Sequence, residues 1–141
     1  IERETFPAMV AGGSLFGLHD DCYWIDAGTP ETYLQSQLDL IDGVRGGSEA
    51  AVAPDARVDD AASVDHSVVM GGAHVQGDAK VVDSVLLPGS VVEPGAQVLG
   101  SIVGTGVVVG RGATLTDLSV IGEGTVEPGA QLSGARLPDP D

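Results

Sequence analysis

Residues 81–103 read VVDSVLLPGSVVEPGAQVLGSIV, and the placing of their aliphatic side chains decides the fold. Leu86, Val92, Val98 and Val103 stand six, six and five residues apart, with Pro88-Gly89 and Pro94-Gly95 as turn dipeptides in the gaps. The spacing recurs in both directions with a period of 17 residues. One column runs Val52, Val69, Leu86, Val103, Val120 and Leu137. A second runs Val58, Val75, Val92, Val109 and Val126, and a third Val64, Val81, Val98, Leu115 and Leu132. Four residues after each member of the second column stands an alanine: Ala62, Ala79, Ala96, Ala113 and Ala130. A large aliphatic residue and then a small one, repeated about every six residues, is the hexapeptide rule of a parallel β-helix. The large side chain points into a triangular prism and stacks on its counterpart one coil above, while the small one lets the backbone turn the corner.

The columns predict about five coils over residues 52–137, a stack of about 24 Å at the usual ~4.8 Å between paired strands. The five-residue side, from Asp65 to Val69 in the first coil, is expected to be a tightened edge in each coil. In a solenoid each coil covers only its neighbours, so the ends need caps. At the C-terminus a tail over 138–141, with two prolines that cannot donate and two acids, is expected to end the stack.

Composition narrows the function classes. Gly is 21 of 141 residues, aromatics are 4%, and 21 acids against 6 Lys and Arg give a formal charge of −15. Such a surface repels phosphate backbones and anionic lipid, so neither a nucleic acid nor a membrane is an expected partner. The single cysteine, Cys22, cannot make an internal disulfide, which favours a reducing, cytoplasmic setting; beside Tyr23 it reads as a small buried apolar residue. No apolar run approaches the ~20 residues of a membrane span.

Residues 1–43 are of another kind. They hold all five aromatics, Phe6, Phe16, Tyr23, Trp24 and Tyr33, and lack the 17-residue period. A linker over 44–51, rich in glycine, separates them from the repeat. Glu2 to Ala11 is expected to be helical up to the Gly12-Gly13 stop, and Leu15 to Leu18 and Tyr23 to Ile25 read as short strands. A second helix is expected from Thr29 as N-cap and Pro30 in the first position to Asp42, with Tyr33, Leu34, Leu38 and Ile41 as its buried stripe. Forty-three such residues cannot bury a core alone. They read as the tail of a larger α/β domain, an expectation in keeping with a chain that opens on Ile1.

Ile1-Glu2-Arg3-Glu4-Thr5-Phe6-Pro7, then Tyr23-Trp24-Ile25-Asp26-Ala27-Gly28-Thr29-Pro30 leading into a helix, then hexapeptide repeats, together resemble the C-terminal part of bacterial sugar-1-phosphate nucleotidyltransferases. The resemblance is nearest to the mannose-1-phosphate guanylyltransferase branch and covers essentially the whole chain. It implies a left-handed β-helix, behind a remnant of the catalytic domain, that serves oligomerisation and bracing. The reaction it implies is attack of a sugar-1-phosphate on the α-phosphorus of a nucleoside triphosphate, with pyrophosphate leaving. By the same resemblance Asp26 is the family's late metal-binding aspartate, a hard oxygen donor for Mg²⁺. Gly28 and Thr29 lie near phosphate, and Glu2 and Glu4 line the sugar side. The family's glycine-rich nucleotide loop, its lysines and its first metal aspartate have no counterpart in these residues. The chain alone is therefore expected neither to catalyse the transfer nor to bind Mg²⁺ tightly; it needs an upstream or separately supplied catalytic half.

Two other readings compete. A free-standing hexapeptide acyltransferase would use His66 or His74 as base, although the uninterrupted register leaves no room for the long loop such enzymes carry. A purely structural or oligomerisation module is the third. His19 beside Asp20-Asp21 lacks a second ligand at fixed spacing and reads as solvated loop.

Overall fold

A computed structural model describes residues 1–138, so Asp139, Pro140 and Asp141 of the expected tail lie outside the described residues. The repeat folds as five coils whose strands form three parallel sheets of five strands each. The first sheet stacks β1 (Arg57–Val58), β4 (His74–Val75), β7 (Val91–Val92), β10 (Val108–Val109) and β13 (Thr125–Val126). The second stacks β2 (Ser63–Asp65), β5 (Lys80–Val82), β8 (Gln97–Leu99), β11 (Thr114–Thr116) and β14 (Gln131–Ser133). The third stacks β3 (Val68–Val69), β6 (Val85–Leu86), β9 (Ile102–Val103), β12 (Val120–Ile121) and β15 (Arg136–Leu137). The aliphatic columns and their alanines meet in one buried cluster that includes Val75, Val81, Leu86, Val92, Val98 and Leu115. In the first coil Val52 and Val58 remain partly exposed, because nothing stacks beneath them.

The five-residue side is tightened as its length requires. Its corner places His66, Asp83, Gly100, Asp117 and Gly134, one per coil, at positive φ. His and Asp tolerate that left-handed conformation better than most side chains. A serine ladder completes the corner. The Ser67 hydroxyl accepts the Ser84 N–H and the Ser84 hydroxyl the Ser101 N–H, both at 3.0 Å, while each hydroxyl donates to a carbonyl of its own coil. The 17-residue spacing of Ser67, Ser84 and Ser101 was the available signal for it.

One column needs correcting. Val103 pairs with Ile121, not Val120, and Ile121 is the side chain in the prism core. Asp117 and Leu118 both adopt positive φ, so that corner takes one extra residue, and the next side restores the register by running five residues from Ile121 to Val126. The shifted coil presses on the one below: a Cβ on Gly104 would lie 2.2 Å from the Gly122 carbonyl oxygen, which leaves room only for glycine.

The third sheet is buried on both faces. Val69, Leu86, Val103 and Ile121 point inward, so strand alternation turns Val68, Val85, Ile102 and Val120 outward, yet Val85 and Ile102 are only 0% and 5% exposed. The cover is helix α2 (Pro30–Ile41), whose Leu38 is buried and which packs against β3. Its first turn is tied to the last coil by Glu31 and Arg136, 3.1 Å apart, and its C-cap Asp42 reaches His66 of the first coil. Twelve residues at about 1.5 Å span about 18 Å, and four steps between five strands at about 4.8 Å span about 19 Å. The helix is therefore a strut as long as the stack, laid across its strands. It ends beside the first coil, where the chain then enters the β-helix.

The rest of the N-terminal segment departs from expectation in three places. Helix α1 (Thr5–Ala11) starts later than Glu2, with Glu4 at its N-cap and no side-chain capping bond there. Leu15 to Leu18 and Tyr23 to Ile25 are not strands; among the described residues no strand pairs with them, and an isolated extended segment has no ladder to hold it. Cys22 is exposed rather than buried, since it sits on this irregular stretch.

Candidate functional site

The stretch Asp26 to Thr29 is shaped by the start of α2. Thr29 is extended, with φ −124° and ψ 157°, and forms a reciprocal cap: its hydroxyl accepts the Thr32 N–H at 3.3 Å and the Thr32 hydroxyl accepts the Thr29 N–H at 3.2 Å. Pro30 follows in the first turn, where its missing N–H costs nothing. Just before the cap, Asp26 Oδ1 accepts the Gly28 N–H at 3.1 Å. A Cβ on Gly28 would lie 3.2 Å from that oxygen, so the glycine keeps the turn open around the carboxylate. Glu31 is held below the usual carboxylate range by its backbone N–H at the helix start, then by the Thr29 hydroxyl, with Arg136 adding to it.

The expected site residues are only partly brought together. Asp26, Gly28 and Thr29 share one exposed turn, and Asp26 keeps a free carboxylate oxygen there. Glu2 and Glu4 instead line an open depression of about 440 Å³ with Ile1 and Arg3, and no hydrogen bond or ion pair joins them to Asp26 among the described residues. The Thr29 hydroxyl and N–H are both engaged in the cap. No cluster of three or more His, Cys, Asp or Glu is arranged for a metal among the described residues. A second depression, about 400 Å³ and mainly apolar, opens where the strut meets the last coil, between Pro30, Val120, Gly122, Arg136 and Leu137.

The segment ahead of the turn is anchored to the strut from behind. Asp39, 8% exposed, accepts from the Tyr23 hydroxyl and, at 2.7 Å, from the Gln35 amide, while the Arg45 guanidinium stands 6.0 Å over the Tyr23 ring. The Tyr23 hydrogen bond, then that of Gln35, holds the Asp39 carboxyl below its usual range. Sequence reasoning passed over Asp39. Its place one turn after Gln35, on the face that carries Leu38, was the signal available.

The histidines differ. His66 has both ring nitrogens engaged by carboxylates and no nitrogen left to act as a base. His74 Nε2 lies 2.9 Å from Asp59 Oδ1, and Asp59 also accepts the Gly77 N–H. The His74 hydrogen bond holds Asp59 below the usual carboxylate range. Neither histidine lines either depression. His19 and Asp21 pair loosely at 3.7 Å in full solvent.

A five-coil hexapeptide-repeat β-helix, braced along one face by a helix that begins in a W-x-D-x-G-T-P turn, defines the class: a parallel β-solenoid with a docked helix. Residues 47–136 match the model of the GMPPB C-terminal domain, and the chain belongs to that family. A mannose-1-phosphate guanylyltransferase of Mycobacterium tuberculosis is 44% identical over 46 residues, a stretch that makes up 31% of this chain and 13% of the relative. The aligned stretch is thus a small part of that relative's length. No helix among the described residues is long and apolar enough to cross a membrane.

Proposed function

We propose that the chain is the C-terminal part of a cytoplasmic sugar-1-phosphate nucleotidyltransferase that makes GDP-mannose and pyrophosphate from GTP and mannose-1-phosphate. Residues 1–43 are the last elements of its catalytic domain, joined by residues 44–51 to a β-helix over 52–137 that braces that domain and serves oligomerisation. The observation that carries this reading is the strut. α2 connects the Asp26 turn to the whole stack, from Arg136 in the last coil to His66 in the first. Ahead of it Phe16, Leu18 and Trp24 stand exposed, the surface that a catalytic domain would cover.

In this reading the catalytic half supplies the nucleotide loop and binds the sugar phosphate beside Glu2 and Glu4. Asp26 fits Mg²⁺ as a single hard donor, with one oxygen fixed by Gly28 and the other free, and the remaining ligands come from outside this chain. When bound, the ion neutralises phosphate charge. Gly28 leaves space for a phosphate to approach, and the start of α2 adds a positive dipole end near it. The decisive assay compares this chain with one extended upstream through a glycine-rich loop, both given GTP, mannose-1-phosphate and Mg²⁺. The expected result is no turnover by this chain, GDP-mannose from the extended one, and loss of that activity on Asp26→Asn. An extended chain that folds, contains the loop and makes no nucleotide sugar overturns the proposal.

A further inference from the structure

His66 occupies an unusual place. It sits at φ 41° on the tight corner of the first coil, between the end of α2 and the corresponding corner one coil on. Its Nδ1 lies 2.5 Å from Asp83 Oδ1, and its Nε2 lies 3.1 and 3.2 Å from the two oxygens of Asp42. A carboxylate only accepts, and a neutral imidazole has one N–H to give. Both contacts are hydrogen bonds at once only when the ring carries two protons and a positive charge. The surroundings favour that charge. The groups acting on the ring are Asp83 from the next coil and Asp42 from α2, both negative, and Asp65 precedes it in the chain. The carbonyl end of α2 also points its negative dipole toward this corner.

We propose that His66 is a proton-operated latch: doubly protonated, it ties the end of α2 to the first two coils of the β-helix, and on losing one proton it keeps Asp83 and releases Asp42. The asymmetry follows from the distances, since one remaining N–H stays with the shorter contact and leaves a lone pair facing the Asp42 carboxylate. At its other end the strut is held by Arg136 and Glu31, whose carboxyl is held below the usual carboxylate range. Release therefore loosens one end and leaves the other as a pivot. The inference concerns the docking of α2 and holds whatever reaction the intact protein performs.

The direction of the pH effect follows. The hydrogen bond to Asp83 first, and that to Asp42 second, raise the His66 pKa above its ordinary 6.5. A raised folded-state value makes the latch fully stabilising below about pH 6.5 and lost as pH climbs through the higher folded value. The loss thus falls on the alkaline side of the ordinary histidine titration.

The test uses the 141-residue chain labelled with ¹⁵N. Ring nitrogen shifts report the charge of His66 between pH 5 and 9, and amide exchange reports the helix end through the N–H groups of Asp42 and Val44, which bond to Leu38 and Asp39. Both His66 nitrogens are expected to be protonated at the acid end of that range, with the titration falling above the ordinary histidine value. Protection of the two amides, corrected for intrinsic rate, is expected to fall about tenfold as His66 deprotonates. Asp42→Asn is expected to lower the His66 titration and abolish the pH dependence of protection. His66→Asn, which tolerates the left-handed corner, is expected to abolish it as well. A His66 titration at or below the ordinary histidine value, or protection that stays constant through that titration in the unsubstituted chain, overturns the latch. Asp42→Asn alone carries the test should the His66 variant not fold.

Discussion

The β-helix and the segment before it bury their side chains by opposite means. In the solenoid, each coil is the lid of the one below, and the stacked Val, Leu and Ala residues from Val69 to Val126 are almost wholly enclosed. Among the described residues 1–50, only Leu38 and Asp39 are buried, and both lie on the strut that leans against the solenoid. Burial in the first region comes from repetition of its own sequence. In the second it is borrowed, residue by residue, from contact with the first. Aromatics follow the same division: a narrow prism has no room for them, and the N-terminal segment leaves Phe16 and Trp24 in solvent.

The contrast breaks most visibly by removing a stacked side chain. Leu86→Ala takes out a fully buried residue whose neighbours above and below, Val103 and Val69, cannot close the gap without losing their strand pairing. The expected cost is about 2–5 kcal/mol in denaturant unfolding followed by the β-sheet signal. Leu18→Ala, at a leucine 95% exposed, is expected to leave that transition unchanged. Equal effects at the two leucines would mean that the N-terminal segment packs in a way this structure does not have.

A smaller change has the opposite sign. The Ser90 hydroxyl is enclosed in the β-helix and has no hydrogen-bond partner among the described residues, unlike those of Ser67, Ser84 and Ser101 in their ladder. One coil back the equivalent position is Ala73, which fits the same corner. Ser90→Ala is therefore expected to stabilise the chain by about 1 kcal/mol, seen as a higher denaturant midpoint at constant slope. Destabilisation would show that the hydroxyl has a partner after all.

How far these features could be read beforehand depended on their range. The prism core was legible because its period repeats at 17 residues and because a stacked side chain meets its own column. Val120-Ile121 escaped because both residues are aliphatic, so the pattern does not reveal the extra corner residue at Asp117-Leu118. The outer face of the third sheet left a visible mark in the paired aliphatics Val68-Val69, Val85-Leu86 and Ile102-Val103, but nothing local says that α2 is what covers them. The Thr29-Pro30-Glu31 cap is a local device and was foreseen. The links Asp42 to His66 and Glu31 to Arg136 join residues 24 and 105 apart and belong to the docked strut alone. The two expected strands failed for the same reason in reverse, since a short run of apolar and aromatic residues proposes a strand and only a partner makes one.

The gentlest test of the comparison is Tyr23→Phe. The Tyr23 hydroxyl is the hydrogen bond that fastens the irregular stretch to Asp39, and its loss touches no side chain of the prism. The β-sheet melting transition is expected to stay where it is. The effect should appear at Asp39, whose carboxyl loses the largest of the influences that hold it down and so titrates closer to its ordinary 3.8. A depressed carboxylate stabilises the fold above its unfolded value and loses that contribution as pH falls through the lower folded one. In the variant that contribution is therefore smaller, and its loss is complete at a higher pH. Carbon-detected NMR of the Asp39 carboxyl reads this directly, beside Gln35, which keeps its own bond at 2.7 Å. An unmoved Asp39 titration would mean that the stretch is fastened elsewhere. A shifted β-helix transition would mean that the two regions share more of their stability than the strut alone conveys.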